Sequence, residues 1–281
     1  MTTAMPIPLS PLRVHRLPAM LVSGATDIGT VRSNNEDNFL LDEKLGLAML
    51  ADGMGGHAAG EVASAGVLTE MRAYLALHAP DLPTMPRDAI LDPDPDATWS
   101  NPAADAMRLL HAAVAHANAS LYQQNCARKR PDGDGMGATL TGFWRESPAA
   151  PLVVFHVGDS RLYRLRTGVL EQLTRDQTLY QQALESGMLD RLPPKNMLLQ
   201  AVGPAPSITP EVRSYLAMPG DVLMLCSDGL HGSVPHADIL SALADVNEAN
   251  LDQVCRRLIE MAKAFGGRDN ITVVVALTGK D

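Results

Sequence analysis

Eight short apolar runs, each bounded by turn residues, limit how this chain can fold. They lie at 38–42, 46–51, 138–144, 152–157, 161–166, 169–173, 222–226 and 271–277. Runs of this length between Gly, Pro, Asn and Asp are typical of β-strands. The segments "DEKLG" at 42–46 and "RTG" at 166–168 read as hairpin connections between neighbouring runs. The pattern therefore predicts antiparallel pairing of sequential strands.

Longer stretches with helical spacing interrupt these runs. We predict helices at 58–78, 103–126, 175–187, 236–246 and 250–265. Within 103–126, for example, Leu109, Ala113, Ala117 and Leu121 recur on one helical face. Strands that pair locally, then helices, then further strands favour an α+β layered domain over a regular parallel sheet.

Charge and composition exclude several classes of protein. The 281 residues carry a formal net charge of −9, which argues against a broad surface for nucleic acid or anionic membrane. No apolar stretch reaches the roughly 18 residues of a membrane span. Three widely spaced cysteines suggest neither a disulfide framework nor a zinc cluster, and we expect reduced thiols in the cytoplasm.

We expect a loosely ordered leader over residues 1–20, without the apolar core of a signal peptide. Residues 21–281 are then predicted to form a single domain. Within it, the segment 79–103 is rich in Pro and Asp and reads as an exposed loop. This organisation leaves most of the chain available for one core.

Acidic residues stand just beyond the ends of the predicted strands. Asp37 precedes the run 38–42 and Asp52 follows the run 46–51, so a hairpin would place both acids at one edge. Three more acids lie in the same relation to later strands: Asp159, Asp228 and Asp269. Antiparallel pairing would bring all five to one end of the β structure.

Carboxylates gathered in this way repel one another and raise each other's pKa values unless a cation joins them. The donors are oxygens without an accompanying Cys or His set, which favours Mg²⁺ or Mn²⁺ over Zn²⁺. Gly53, directly after Asp52, can turn its carbonyl toward such an ion. Two ions about 3.5–4 Å apart would activate a water and clamp a phosphate. Arg32, in a polar turn near Glu36, is the candidate guanidinium for phosphate oxygens.

Seven segments in order resemble the motifs of the metal-dependent protein serine/threonine phosphatases of type 2C, in their bacterial branch. They are "TDIGTVRSNNEDNF" (26–39), "LADGMGGHAAGEVAS" (50–64), "GMGATL" (135–140), "VGDSRLYRL" (157–165), "LTRDQTL" (173–179), "LCSDGL" (225–230) and "RDNITVVV" (268–275). The resemblance spans roughly 22–278. It implies a four-layer α-β-β-α sandwich, in which two antiparallel sheets are flanked by helices and a binuclear Mn²⁺ or Mg²⁺ centre lies at one end.

The resemblance also implies roles for individual residues. Asp52 would bridge the two ions, with the Gly53 carbonyl on one of them. Asp228 and Asp269 would hold one ion, and Glu36 and Asp37 would lie around the other. Asp159 would join Asp228 in holding a third, weaker ion. Arg32 would bind the phosphate, and Asn270 would support the site through hydrogen bonds.

Three positions depart from the family pattern. Met54 stands where animal members have a histidine proposed as general acid, so the leaving group would be protonated from another source. Gln177 stands where a histidine is expected, and an amide cannot titrate near neutral pH. The flap-like segment 180–204 contains Pro193 and Pro194. The nearby His57 either contacts substrate or is an ordinary exposed loop residue.

The sequence therefore predicts hydrolysis of phosphoserine and phosphothreonine in proteins, with Asp52, Asp228 and Arg32 as the catalytic residues. The expected partners are phosphorylated proteins, among them a Ser/Thr protein kinase and its substrates, and the expected state is a monomer. One alternative is a pseudophosphatase that binds phosphoproteins or a regulatory partner with little turnover. Another is a two-metal nuclease or small-ester phosphatase, which the acidic balance disfavours.

Overall fold

The computed structural model describes residues 14–55, 59–81, 102–128, 135–188, 190 and 192–279. The strands are β1 His15–Leu17, β2 Met20–Asp27, β3 Asp37–Asp42, β4 Leu47–Met54, β5 Gly137–Ala138, β6 Leu140–Trp144, β7 Leu152–Val157, β8 Arg161–Arg166, β9 Val169–Gln172, β10 Glu211–Tyr215, β11 Val222–Cys226 and β12 Ile271–Thr278. The helices are α1 Ala59–His78, α2 Pro102–Ala127, α3 Leu179–Glu185, α4 Asp228–His231, α5 His236–Ala244 and α6 Leu251–Ala264, with a short 3₁₀ turn at Ala79–Asp81.

The strands form two antiparallel sheets. Sheet one has the order β1-β2-β12-β11-β8-β9, and sheet two has the order β10-β7-β6-β4-β3, with β5 paired to the end of β4. The β3–β4 and β8–β9 pairs are hairpins, as the short turns predicted. The β12 strand joins the amino-terminal strand β2 to β11, so both ends of the described chain contribute to sheet one.

The central strands are apolar at nearly every position because both of their faces are covered. Along β4, Leu47, Met49 and Ala51 pack in a core with α1 and α2, whereas the intervening Ala48 and Leu50 pack against the other sheet. On the far side, α5 and α6 cover sheet one. The period-two alternation of a strand thus serves two hydrophobic layers, and the predicted four-layer α-β-β-α sandwich is confirmed.

Several boundaries differ from those that the sequence predicted. The leader expected over residues 1–20 is wrong for its last residues, because His15–Leu17 form β1 and β2 begins at Met20. The run 138–144 divides into β5 and β6, and the helix expected at 175–187 is shorter, at Leu179–Glu185. Strands β1, β2 and β10 and helix α4 were not predicted.

Most of the loop expected at 79–103 lies outside the described residues. Among the described helices, none combines the length and the apolar character needed to cross a membrane.

Candidate metal centre

The β3–β4 hairpin brings the first two acids together. Its register places Asp37 directly opposite Asp52. Asp37 is buried, and the Ser227 hydroxyl donates a 2.7 Å hydrogen bond to its Oδ2. The other oxygen, Oδ1, has no hydrogen-bond partner among the described residues. A buried carboxylate oxygen without a donor is a position that a cation or its hydration water would fill.

The glycines after Asp52 are required by close packing. A Cβ on Gly53 would lie 2.0 Å from the Gly60 carbonyl oxygen and 2.7 Å from that of Glu36. A Cβ on Gly60 would lie 2.6 Å from the Glu36 carboxyl carbon. The Gly53 amide also donates to the Glu36 carbonyl at 3.2 Å. Glycine therefore lets β4, the start of α1 and the Glu36 side chain converge within one small volume.

The remaining acids come from sheet one and from the β7–β8 turn. Cys226 pairs with Val273 across β11–β12 and with Arg161 across β11–β8. Asp228 follows β11, Asp269 precedes β12 and Asp159 precedes β8, so all three reach the same edge. The backbone amide of Asp52 donates to the Thr139 hydroxyl at 2.9 Å, which fixes the end of β4 against β6.

One cavity of about 320 Å³ collects most of these groups. It is lined by Arg32, Glu36, Asp52, Gly53, Met54, Gly55, Thr139, Asp159, Asn196, Leu198, Asp228, Asp269 and Asn270. A larger open groove of about 700 Å³ lies beside β1 and β2, but Glu248 is its one lining acid among the described residues. The smaller cavity is therefore the candidate site.

Burial and mutual repulsion raise the pKa values of the clustered acids. Burial first, and then neighbouring carboxylates, raise the pKa of Asp159 to about 7 and that of Asp228 to about 6. Burial raises the pKa of Asp37 to about 7, against the opposing hydrogen bond from Ser227. The pKa of Asp52 lies well above its ordinary range because of burial and the charges of Asp37, Asp228, Asp159 and Asp269. Arg32 is the one basic side chain among the described residues that line the cavity, so the carboxylates outnumber the positive charge beside them.

The donor set fits hard divalent cations, although the side chains do not form a finished cage. No group of three or more His, Cys, Asp and Glu side chains surrounds a common point in the described part of the chain. Asp269 is instead paired with Arg32, whose Nη2 lies 2.7 Å from its Oδ2. The oxygen-only donors, the unpaired Asp37 Oδ1 and the raised pKa values all suit Mg²⁺ or Mn²⁺.

Asn270 fastens the loop that carries Arg32. Its side-chain oxygen accepts from the Glu36 amide at 2.8 Å, and its side-chain nitrogen donates to the carbonyls of Ile28 at 3.0 Å and Asn34 at 2.9 Å. Asn270 thus makes three hydrogen bonds to residues more than 230 positions away in sequence, and its supporting role at the site stays a prediction.

We expect Asn270→Ala to lower the free energy of unfolding by about 2–4 kcal/mol, since three hydrogen bonds at a buried side chain are lost. Urea unfolding measures this loss, and amide hydrogen exchange of residues 28–36 should become faster. Asn250→Ala is the control, because Asn250 makes two backbone hydrogen bonds in the α5–α6 connection. Unchanged exchange in the Arg32 loop of Asn270→Ala would contradict the assigned role.

The structure also contains site residues that the sequence did not indicate. Thr139, Asn196 and Leu198 line the cavity, and His231 donates to the Asp159 carbonyl at 3.0 Å. Thr139 lies within the quoted segment "GMGATL", but nothing in that segment specifies a contact with Asp52. His57, for which the sequence left open a substrate contact or an ordinary loop position, lies outside the described residues.

Comparison with known proteins identifies the family. Residues 30–268 match the protein phosphatase 2C family. The chain belongs to the protein phosphatase 2C family. Its order of elements and the acid-lined cavity are thus those of a family member, and the resemblance noted from the seven sequence segments is confirmed.

Individual relatives support the same assignment. The chain is 37% identical over 256 residues to the serine/threonine protein phosphatase PstP of Mycobacterium tuberculosis, covering 89% of this chain and 43% of that protein. It is 33% identical over 258 residues to the serine/threonine phosphatase stp of Listeria innocua, covering 89% of this chain and 92% of that one. The chain thus spans less than half of PstP and nearly all of stp.

A solved structure of the PstP catalytic domain in complex with two manganese ions is similar in three dimensions. The TM-score is 0.70 and the identity 34%, and the match covers 93% of this chain and 99% of that one. The sandwich described above is therefore the architecture of that catalytic domain.

Proposed function

We propose that this chain hydrolyses phosphoserine and phosphothreonine in proteins, with two Mn²⁺ or Mg²⁺ ions as cofactors and a third, weaker ion at Asp159. The observation that carries the proposal is the convergence of acids from both sheets on one cavity with Arg32 at its edge. Family membership and the two manganese ions of the PstP catalytic domain support it.

The acidic residues fall into two proposed sets of ligands, one for each ion. Asp52, Asp228 and Asp269 would hold one ion, and Asp52, the Gly53 carbonyl and the surrounding Glu36 and Asp37 would hold the other. When bound, such ions supply an activated water and neutralise charge on the phosphoryl group. No covalent enzyme intermediate is required.

Arg32 would bind the phosphate from the protein side. Its side chain is about half exposed and is held by Asp269 in the structure. A guanidinium can bind two phosphoryl oxygens at once. An ion on Asp269 would compensate that carboxylate and leave Arg32 available to the substrate.

A metal-dependence assay tests the proposal. We expect hydrolysis of p-nitrophenyl phosphate and of a phosphothreonine peptide in Mn²⁺, and none after chelation with EDTA. Phosphopeptide binding without turnover would instead support the pseudophosphatase. Gln177, the amide at a position where a histidine is expected, gives that alternative no direct support, because it contacts Gly158 and Gln200 and is not among the described residues that line the cavity.

We expect Arg32→Ala to raise KM for a phosphopeptide by about tenfold, with a smaller change in kcat, because one charged hydrogen-bonding group is lost. Steady-state kinetics at saturating Mn²⁺ measure both constants. Arg72→Ala is the matched control, since Arg72 is also half exposed and paired with an aspartate, Asp42, at 2.6 Å. If KM were equal in the two variants, Arg32 would have no part in binding phosphate.

The partners follow from the proposed chemistry. We propose phosphorylated proteins as substrates, including a Ser/Thr protein kinase and the proteins it modifies. We propose a monomer as the working state. A reducing compartment such as the cytoplasm is supported by three cysteines that are all free. Size-exclusion chromatography with light scattering tests the oligomeric state.

A further inference from the structure

Residues 196–202, which we name the strap, run along one wall of the cavity. Asn196 and Leu198 of the strap line it. The strap is attached at two isolated β-bridges, Thr178 with Leu198 and Ala138 with Val202. This segment belongs to the flap-like region that the sequence marked as atypical, yet its backbone is hydrogen-bonded to the body of the domain.

Gln177 is the point where the strap meets the metal centre. Its backbone amide donates to the Gly158 carbonyl at 2.8 Å, and its carbonyl accepts from the Leu199 amide at 2.8 Å. Its side-chain oxygen accepts from the Gly158 amide at 2.9 Å and from Gln200 Nε2 at 2.9 Å. Two of these hydrogen bonds join the buried Gln177 to Gly158 and two join it to the strap. The Gln177 side-chain nitrogen adds a longer bond of 3.5 Å to the His156 carbonyl.

The Gly158 turn sets the position of Asp159. Gly158 has a φ of +106°, and a Cβ there would lie 2.7 Å from Thr139 Cγ2. The turn therefore needs glycine and depends on external hydrogen bonds to hold its direction. The Gly158 amide donates its hydrogen bond to the side-chain oxygen of Gln177. Without that acceptor a buried amide would be left unpaired, which is costly.

Gln200, within the strap, links the same oxygen to Thr209, which lies beyond the strap. Its amide nitrogen donates to the Thr209 carbonyl at 2.7 Å as well as to Gln177. Its oxygen accepts from the Thr209 amide at 3.0 Å. All these contacts leave the Gln200 side chain little freedom, so a displacement of the strap would be felt at Gln177.

We propose that Gln177 is a positioning residue that couples the strap, and hence the substrate-facing wall of the cavity, to the Gly158–Asp159 turn through the Gln200–Gln177–Gly158 hydrogen bonds. This inference rests on the proposed phosphatase function. An amide oxygen has two lone pairs and accepts both bonds, whereas a histidine ring nitrogen has one. Glutamine therefore suits a position where two donors must meet one acceptor.

The chemistry of the side chain leads to a specific mutant series. Gln177→Leu removes both side-chain acceptor contacts. Gln200→Leu removes the contact with Gln177 and the two bonds to Thr209 but leaves the bond between Gln177 and Gly158. Gln177→His retains an acceptor for Gly158 but cannot serve both donors. Gln181→Leu is the matched control, because the Gln181 side chain bonds to Glu185 on α3 and lies outside the network. Each variant is assayed for KM and kcat on a phosphothreonine peptide and for the Mn²⁺ concentration giving half-maximal activity.

We expect Gln177→Leu to raise both the phosphopeptide KM and the half-saturating Mn²⁺ concentration by about fivefold or more. Gln177→His and Gln200→Leu should raise the peptide KM while keeping the Mn²⁺ dependence of the parent protein. In the double variant Gln177→Leu/Gln200→Leu, KM should not exceed that of Gln177→Leu, because both changes break one linkage.

If the increases in peptide KM of the two single variants multiplied in the double variant, the coupling would be overturned. The same holds if Gln177→Leu lowered the melting temperature but left KM and the Mn²⁺ dependence unchanged. An inactive parent protein would contradict the phosphatase function instead. In that case the thermal shift produced by Mn²⁺ still decides the inference, since it requires no turnover. A weaker shift in Gln177→Leu than in Gln177→His supports it, and equal shifts overturn it.

Discussion

Asp52→Asn should reduce Mn²⁺-dependent phosphatase activity by about a thousandfold or more while leaving the fold intact. The loss of one preorganised electrostatic group already costs about 10²–10³ in rate, and Asp52 is the residue proposed to hold both ions. In EDTA at neutral pH, the variant should be at least as stable as the parent protein, because one member of a repelling, buried cluster becomes neutral.

Three measurements together test this expectation. Turnover of a phosphopeptide should fall, circular dichroism should be unchanged, and addition of Mn²⁺ should no longer raise the melting temperature. Asp228→Asn should behave in the same way, since the Asp228 carboxyl lies in the same cavity. The control is Asp221→Asn, whose side chain pairs with Arg166 at 2.6 Å far from the site and should affect stability alone. Near-normal turnover in Asp52→Asn would rule out the bridging role.

The stability of the metal-free protein should fall as pH rises from about 5 to 8. Burial and repulsion raise the folded-state pKa of Asp37 and Asp159 to about 7 and of Asp228 to about 6, above the ordinary value near 4. The native state therefore holds more protons than the unfolded chain in this range. The stability that protonation of these carboxyls contributes is fully present below their unfolded-state pKa values and is lost as the pH rises through their folded-state pKa values.

Divalent cations should reverse this trend, because they bind the deprotonated carboxylates. At a concentration 100 times Kd, a single ion adds about 2.7 kcal/mol, or roughly 5 °C in melting temperature for a chain of this size. We expect a Mn²⁺-induced rise of that order at pH 8 and a much smaller rise at pH 5. Thermal denaturation in EDTA and in Mn²⁺ at both pH values measures the difference; an equal rise at both would show that the cluster is not the binding site.

The acidic edge could be predicted because hairpin geometry depends on local pattern. The short turn "DEKLG" and two flanking apolar runs are enough to place Asp37 opposite Asp52, as the register confirms. The four layers could be expected only through the family resemblance. Periodicity shows that a strand such as β4 is apolar throughout, but it does not reveal which element covers each face.

Other features depend on contacts between distant residues and leave little trace in the sequence. Strand β2 escaped prediction because Ser23 and Gly24 interrupt its apolar pattern, and Gly24 is required where a Cβ would lie 2.6 Å from the Phe39 ring. The hydrogen bond between Ser227 and Asp37 joins residues 190 places apart. The sequence marks Gln177 only as a departure from the family pattern, and its hydrogen bonds to Gly158, Leu199 and Gln200 are visible only in three dimensions.

The two sheets contribute different ligands to the proposed ions, with Asp37 and Asp52 on one and Asp228 and Asp269 beside strands of the other. The apolar layer between them, which includes Leu50, Phe143 and Leu225, therefore acts as a spacer that determines how far apart the two halves of the cage stand. A slip of one residue along a strand would shift ligands by about 3.3 Å, close to the separation of two bridged ions. The packing of side chains in this layer, away from the site itself, therefore determines how accurately the ligands from the two sheets are positioned relative to each other.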